Sequence, residues 1–488
     1  MTDKQHKKIV ILLTIDVLRP DHLNCYGYKK RTSPCISNFA KKGTIFTSAI
    51  ANGPATASSF SALFTSILPF KKGGYSPLPP QKIVFPQILK ENEITTFGIH
   101  NNPNLSSYFN YGKGFDTFID GERYRGKIRN FNSSKSLSLK NVVVQKLRKI
   151  FNYKKLLTNL LKVIPGFNKL QVFLRKINPK LTELLLPITR ASYNAPYILQ
   201  KLMNNLTRNC NEKFIWAHFM DVHSPYNPPS SNLINVRGKD FNLRTRKILH
   251  DKVYSRFNSH LIREEDIRNL SDLYDAEINF VDENLCLFFK FLQQNIKQNC
   301  LVIITADHGE AFYEHKTFGH HGIVYDELLR IPLILVEIGN QNPRKYDGLV
   351  DLLDIAPTIL DYYGIEIPEE FMGRTLLPLL RNNEISEKKY VISEVYKKNN
   401  HLKRDSRASY KLISIRMMNW KYIYDEESEK KMLFDLENDP GERTNVIDEF
   451  PKIRDNFETI LNHHLNNIEE KDEHEKITNA VSNLKIPI

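Results

Sequence analysis

Long apolar runs are missing from this 488-residue chain. No segment approaches the roughly 20 consecutive apolar residues that a membrane-spanning helix needs, so none is expected. Cysteine is scarce. Cys25, Cys35, Cys210, Cys286 and Cys300 are scattered and odd in number, with no CxxC pair. Neither a disulfide framework nor a zinc ribbon is expected, which fits a reducing compartment. The apolar run at residues 9–15 follows a short basic start, but it is too short for a signal peptide and has no small-residue cleavage site. A cytoplasmic protein is expected, possible contact with the inner membrane face included. No internal repeat is present. Acidic residues are nearly absent from residues 124–194, where sixteen Lys or Arg face Glu183 alone. That stretch carries the whole net charge of +14 and leaves the remainder near neutral. With 41% hydrophobic residues the chain can bury a large core, and its length suits one large catalytic domain with additions.

The informative stretch is Leu301-Val302-Ile303-Ile304-Thr305-Ala306-Asp307-His308-Gly309-Glu310. An apolar, mostly β-branched run reads as a buried strand, and it ends in a carboxylate and an imidazole. Ligands of parallel α/β sheets sit just beyond the carboxyl ends of strands. Ile9 to Ile15 has the same form and ends in Asp16. Two buried strands that each deliver a carboxylate to one sheet edge need a cation between them.

Asp16-Val17-Leu18-Arg19-Pro20-Asp21-His22-Leu23-Asn24-Cys25-Tyr26-Gly27-Tyr28 resembles the opening motif of sulfatases, in the alkaline phosphatase superfamily, and Asp307-His308-Gly309-Glu310 resembles their second metal motif. The resemblance implies an α/β fold: an alkaline-phosphatase-like sandwich with a large, mostly parallel central sheet flanked by helices, plus a small C-terminal α+β subdomain with a short antiparallel sheet. The expected division is a catalytic domain over 1–380 with a basic insert at 124–194, a subdomain over 381–465 and a frayed tail from 466 to 488.

Gly53-Pro54-Ala55-Thr56-Ala57-Ser58-Ser59-Phe60-Ser61-Ala62-Leu63-Phe64-Thr65-Ser66 reads as a loop entering a helix at about Ser58, a place that favours an anion. Aligned with the sulfatase form Cys-x-Pro-Ser-Arg, the nucleophile position falls on Thr56, and Phe60 stands where the arginine belongs. Threonine cannot become formylglycine, so the departure resembles the phosphoester-handling branch. After the strand Thr95–His100, the residues His100, Asn101 and Asn102 are candidates for the substrate contact. Phe214–Tyr226 resembles the element that supplies a histidine at the leaving-group side, which makes His223 the candidate acid and Asp221 its orienting partner. His321 matches the cationic contact before a glycine. His315 and His320 are weaker candidates, and Arg19 is a candidate brace for Asp16. A helix is expected over Leu349–Tyr363.

The resemblance thus implies Asp16, Asp307, His308 and the Thr56 oxygen around one divalent ion, with manganese or zinc favoured over magnesium or calcium because of the imidazole. It implies attack by Thr56 on an anionic ester, phosphoester preferred to sulfate. The alternatives are a sulfuric ester hydrolase, a phosphoethanolamine- or phosphoglycerol-type transferase, and an idle metal-retaining binding module. The basic insert reads as amphipathic helices, which suit a cap over the site or a surface for a glycan- or lipid-linked anion. With few aromatics and no accompanying motif, it does not suit specific nucleic-acid binding.

Overall fold

A computed structural model of the chain describes residues 7–75, 77–120, 195–207, 212–254, 262–297, 299–320, 322–340, 342–381, 384–398 and 409–482. The expected basic insert lies outside the described residues.

Eight strands form the central sheet: β1 (Ile9–Ile15), β2 (Thr44–Ile50), β3 (Thr95–Ile99), β4 (Thr117–Ile119), β5 (Lys213–Phe219), β6 (Cys300–Thr305) and, beyond a short hairpin of β7 (Ala311–Phe312) and β8 (Phe318–Gly319), β9 (Arg330–Ile338) and β10 (Arg344–Asp351). Their order is β10-β2-β9-β6-β1-β5-β3-β4. All neighbours are parallel except β9, which runs antiparallel to β2 and β6. The central strands are apolar at nearly every position because both faces are covered. From Val10 to Leu13 and from Cys300 to Ile304 no side chain is exposed.

Helices cover the sheet: α1 (Pro34–Ala40), α2 (Thr56–Thr65), α3 (Phe85–Glu91), α4 (Ala195–Leu206), α5 (Glu264–Asn295) and α6 (Ile355–Tyr363). Helix α5 starts with Glu264, Glu265 and Asp266 in its first turn, where negative charge meets the positive end of the helix dipole. Its buried Leu270, Leu273, Tyr274, Val281, Leu285, Phe288 and Leu292 recur at helical spacing, and Phe289 stacks on Phe39 of α1 at 4.0 Å. The C-terminal part is a four-stranded antiparallel sheet of β11 (Val391–Lys398), β12 (Ser409–Arg416), β13 (Trp420–Asp425) and β14 (Lys430–Asp435), followed by α7 (Pro451–Ser482). Among the described residues no helix is long and apolar enough to cross a membrane.

Several expectations need correction. Cys35 and Cys286 form a disulfide between α1 and α5. Their separation of 251 residues hid a proximity that only the packing of the two helices creates, and the cysteine argument for a reducing compartment falls. Helix α2 starts at Thr56 rather than Ser58, with Ala55 as its extended N-cap residue. The segment Leu349–Tyr363 is the end of a strand, a tight turn at Leu352–Asp354 and only then a helix. Helix α7 runs to Ser482, and Phe457, Leu461, His464 and Ile468 repeat at a spacing that keeps one face of its first part buried.

Candidate active site

The carboxyl ends of β6, β1, β5 and β3, adjacent in that order, open on one sheet edge. Asp307 follows β6, Asp16 follows β1, His223 follows β5 and Asn102 follows β3. Thr56 arrives from the first turn of α2. Val17, directly after Asp16, has φ of 56°, a costly conformation for a β-branched residue. The buried Tyr274 hydroxyl holds it, donating to the Val17 carbonyl at 2.7 Å and accepting from Arg19 N at 2.9 Å. Glycine is required at 309, because a Cβ there would lie 2.1 Å from the Glu327 carbonyl oxygen.

Asp16, Asp307 and His308 are fully buried and offer ligand atoms that all lie within 4.8 Å of one another. His308 Nε2 is 3.8 Å from Asp16 Oδ1, 3.5 Å from Asp307 Oδ2 and 3.5 Å from Thr56 Oγ1. His308 Nδ1 donates to the Gly309 carbonyl at 2.9 Å, which leaves Nε2 with its lone pair toward the carboxylates. Asp16 Oδ1 and Asp307 Oδ2 are buried with no hydrogen-bond donor. Two orphaned carboxylate oxygens and a bare imidazole nitrogen fit a divalent cation. The charges agree. Burial and the neighbouring Asp16 raise the Asp307 carboxyl. For Asp16, burial is outweighed by the His218 hydrogen bond and the nearby histidines, which hold it well below the usual carboxylate range.

Asn102 joins these groups, its Nδ2 donating to Asp16 Oδ2 at 3.0 Å and lying 3.4 Å from Thr56 Oγ1. His223 is close by, its ring 5.1 Å from that of His320 and its Nδ1 2.6 Å from the Ser224 carbonyl. His321 is outside the described residues. Its neighbour His320, read as a weaker candidate, packs against the His308 ring at 4.6 Å and meets Glu310 through Nδ1 at 3.0 Å. Burial disfavours charge on this ring, but the Glu310 bond prevails and lifts it to about 8. Glu310 is anchored in turn by the Tyr226 hydroxyl at 2.8 Å.

Four expected roles are not supported. His100 is 1% exposed, packed against Phe118 and Trp216, and burial pushes it down to about 3. It is part of the core, directly after the last residue of β3. Asp221 accepts from Ala195 N at the start of α4 rather than from His223. Arg19 does not brace Asp16; it binds Asp21, Glu314 and the Glu310 carbonyl. His315 pairs with Glu327 and stacks on Tyr325, a structural setting. A further neighbour of the carboxylates, which no sequence motif marks, is His218 on β5, with Nε2 3.2 Å from Asp16 Oδ2.

A mostly parallel sheet with carboxylates, imidazoles and a helix-borne hydroxyl converging at its carboxyl edge defines the alkaline-phosphatase-like class. The chain belongs to the sulfatase family: the Sulfatase profile matches residues 8–365, and the profile for the C-terminal part of N-sulphoglucosamine sulphohydrolase matches residues 313–472. Arylsulfatase K of Mus musculus is 32% identical over 200 residues, covering 39% of this chain and 34% of that protein. The chain spans about a third to a half of the length of the curated relatives it matches. In fold it is similar to a 2-O GAG sulfatase, with a TM-score of 0.65 and 18% identity over 96% of this chain and 94% of that one. It is equally similar to the phosphonate monoester hydrolase of Agrobacterium radiobacter, with a TM-score of 0.65 and 17% identity over 95% and 96% of the two chains.

Proposed function

We propose that the chain is a metal-dependent phosphoester hydrolase in which Thr56 is the nucleophile. The observation that carries this is the position of Thr56 Oγ1, in the first turn of α2 and within 3.5 Å of both His308 Nε2 and Asn102 Nδ2. Asp16, Asp307 and His308 would hold a divalent ion, which would lower the pKa of the Thr56 hydroxyl and offset substrate charge. Manganese or zinc suits this imidazole-containing set better than calcium.

The chain's own groups do the rest. Asn102 Nδ2–H orients the Thr56 oxygen for in-line attack. His320, paired with Glu310, contacts anionic oxygens of the substrate, and His321 follows it in sequence as a second contact. His223 keeps Nδ1 on the Ser224 carbonyl, so Nε2 is the atom that protonates the leaving alcohol. The covalent Thr56 ester is then released by water.

Phosphoesters are preferred because Thr56 cannot be oxidised to formylglycine and because Phe60 is fully buried against Trp216, His218, Phe64 and Tyr111. An arginine there would bury its charge in an aromatic wall. Sulfate esters are the second reading, favoured by the sulfatases among the relatives. The test is turnover of matched nitrophenyl phosphate monoester, phosphodiester and sulfate probes with manganese, by wild type and Thr56→Ala. Phosphoester cleavage that vanishes in the variant is the expected result. Comparable activity in the variant, or sulfate as the best substrate, overturns it.

A further inference from the structure

Val17 follows Asp16 directly, and its φ of 56° is one that a β-branched residue adopts only at a cost. Its side chain is fully buried. The turn has little of its own to hold this conformation, since the Leu18 N–H reaches the Ile15 carbonyl only at 3.4 Å. The Tyr274 hydroxyl supplies the rest. A backbone carbonyl only accepts and an N–H only donates, so the phenol gives its proton to the Val17 carbonyl and takes one from Arg19 N. The ring that carries it is fully buried on α5 and wedged edge-on among His22, Phe312 and Tyr226, with centroids at 5.0, 5.0 and 5.7 Å. The next residue, Asp275, binds His22 Nδ1 at 2.6 Å and the Tyr28 hydroxyl at 2.7 Å. One turn of α5 thus moors the segment that leaves Asp16.

The strained residue also reaches the second carboxylate. Val17 N–H donates to Asp307 Oδ1 at 3.4 Å, which leaves Oδ2 as the oxygen without a donor. Peptide units are planar, so φ and ψ of Val17 are the only two rotations between that N–H and the carbonyl that Tyr274 holds. Relaxing φ to the negative range with the carbonyl held turns the N–H away from Asp307 and shifts Asp16. The hydroxyl on α5 therefore acts on both carboxylates through one residue that touches each of them.

We propose that Tyr274 is a positioning residue: its hydroxyl holds Val17 in the left-handed conformation and so keeps Asp16 and Asp307 set for one divalent ion. This rests on the metal-dependent reading above. The test is a double-substitution cycle on the metal-stripped full chain, with manganese and calcium affinity read by competition with a fluorescent chelator. Tyr274→Phe keeps the ring and removes the hydroxyl. It should weaken binding of whichever ion the wild type holds more tightly by about 10- to 100-fold, as expected when a partner behind a ligand is removed. Glycine adopts a positive φ without steric cost, so in a Val17→Gly background the same Tyr274→Phe change should cost less than about threefold. A tyrosine that served only to satisfy buried backbone groups would give equal losses in both backgrounds, and that result overturns the proposal. So does unchanged affinity in a folded Tyr274→Phe variant. If Tyr274→Phe alone does not fold, recovery of folding and ion binding in the Val17→Gly/Tyr274→Phe double variant supports the proposal, and a double variant that stays unfolded overturns it. A wild type that binds neither ion removes the metal-dependent reading and this proposal with it. The expected cycle with no probe ester turned over counts against the reaction alone and leaves Tyr274 in its role.

Discussion

Two clusters of buried carboxylates in this molecule have opposite characters. At the sheet edge Asp16 and Asp307 are fully buried, and among the described residues only histidines lie within ion-pair distance of them. At the seam between the C-terminal sheet and the catalytic part, Lys421 is fully buried with Nζ 2.7 Å from Asp326 Oδ1 and 2.8 Å from Glu442 Oε1, the latter as an ion pair rather than an aligned hydrogen bond. Glu442 Oε2 also accepts from Asp326 N. The proton affinities follow. Burial tends to raise Asp326, but Lys421 and Arg416 hold it well below the usual range, while burial and Asp16 leave Asp307 raised. The seam carries its own cations and is structural. The edge has two acceptor oxygens without donors, and that shortage is its functional mark.

The contrast is most strongly broken by Asp307→Asn. Turnover should fall by at least about 10³-fold with the loss of a ligand. The metal-free protein should meanwhile gain on the order of 1 kcal/mol in urea unfolding, because the repulsion with Asp16 is gone. The seam should answer the other way. Lys421→Met leaves two carboxylates buried without their cation and should cost about 3–5 kcal/mol, while kcat of the folded fraction stays near wild type.

A gentler probe is pH. Burial outweighs Lys421 and lifts Glu442 to about 7, so the folded state holds this proton more tightly than the unfolded state. Stability should therefore fall as pH rises from about 4.5 through about 7, by on the order of 1–3 kcal/mol, and Glu442→Gln should flatten that slope in urea titrations. The smallest effect is expected at His100. As a core residue it can be replaced by Asn with less than about a threefold change in turnover, whereas a substrate contact would cost about 10²-fold.

The strands that end in Asp16 and Asp307 were legible because each apolar run stops at a charge, and Thr56 because its loop is flanked by matching small residues. His218 was not legible, since a histidine inside an apolar strand reads as a satisfied core residue, and its meaning comes from Asp16 on the next strand. His100 misled for the converse reason: it sits at a strand end in sequence, but in space it packs under Trp216. The Cys35–Cys286 bond depends on α1 lying against α5, a contact no spacing encodes.

The most direct test of a cation-binding edge is the manganese content of the metal-stripped chain after equilibrium dialysis. One ion per wild-type chain, near none for Asp307→Asn and one for Glu442→Gln is the predicted result. A wild type that retains no ion, or an Asp307→Asn variant that takes up a full equivalent, would contradict it.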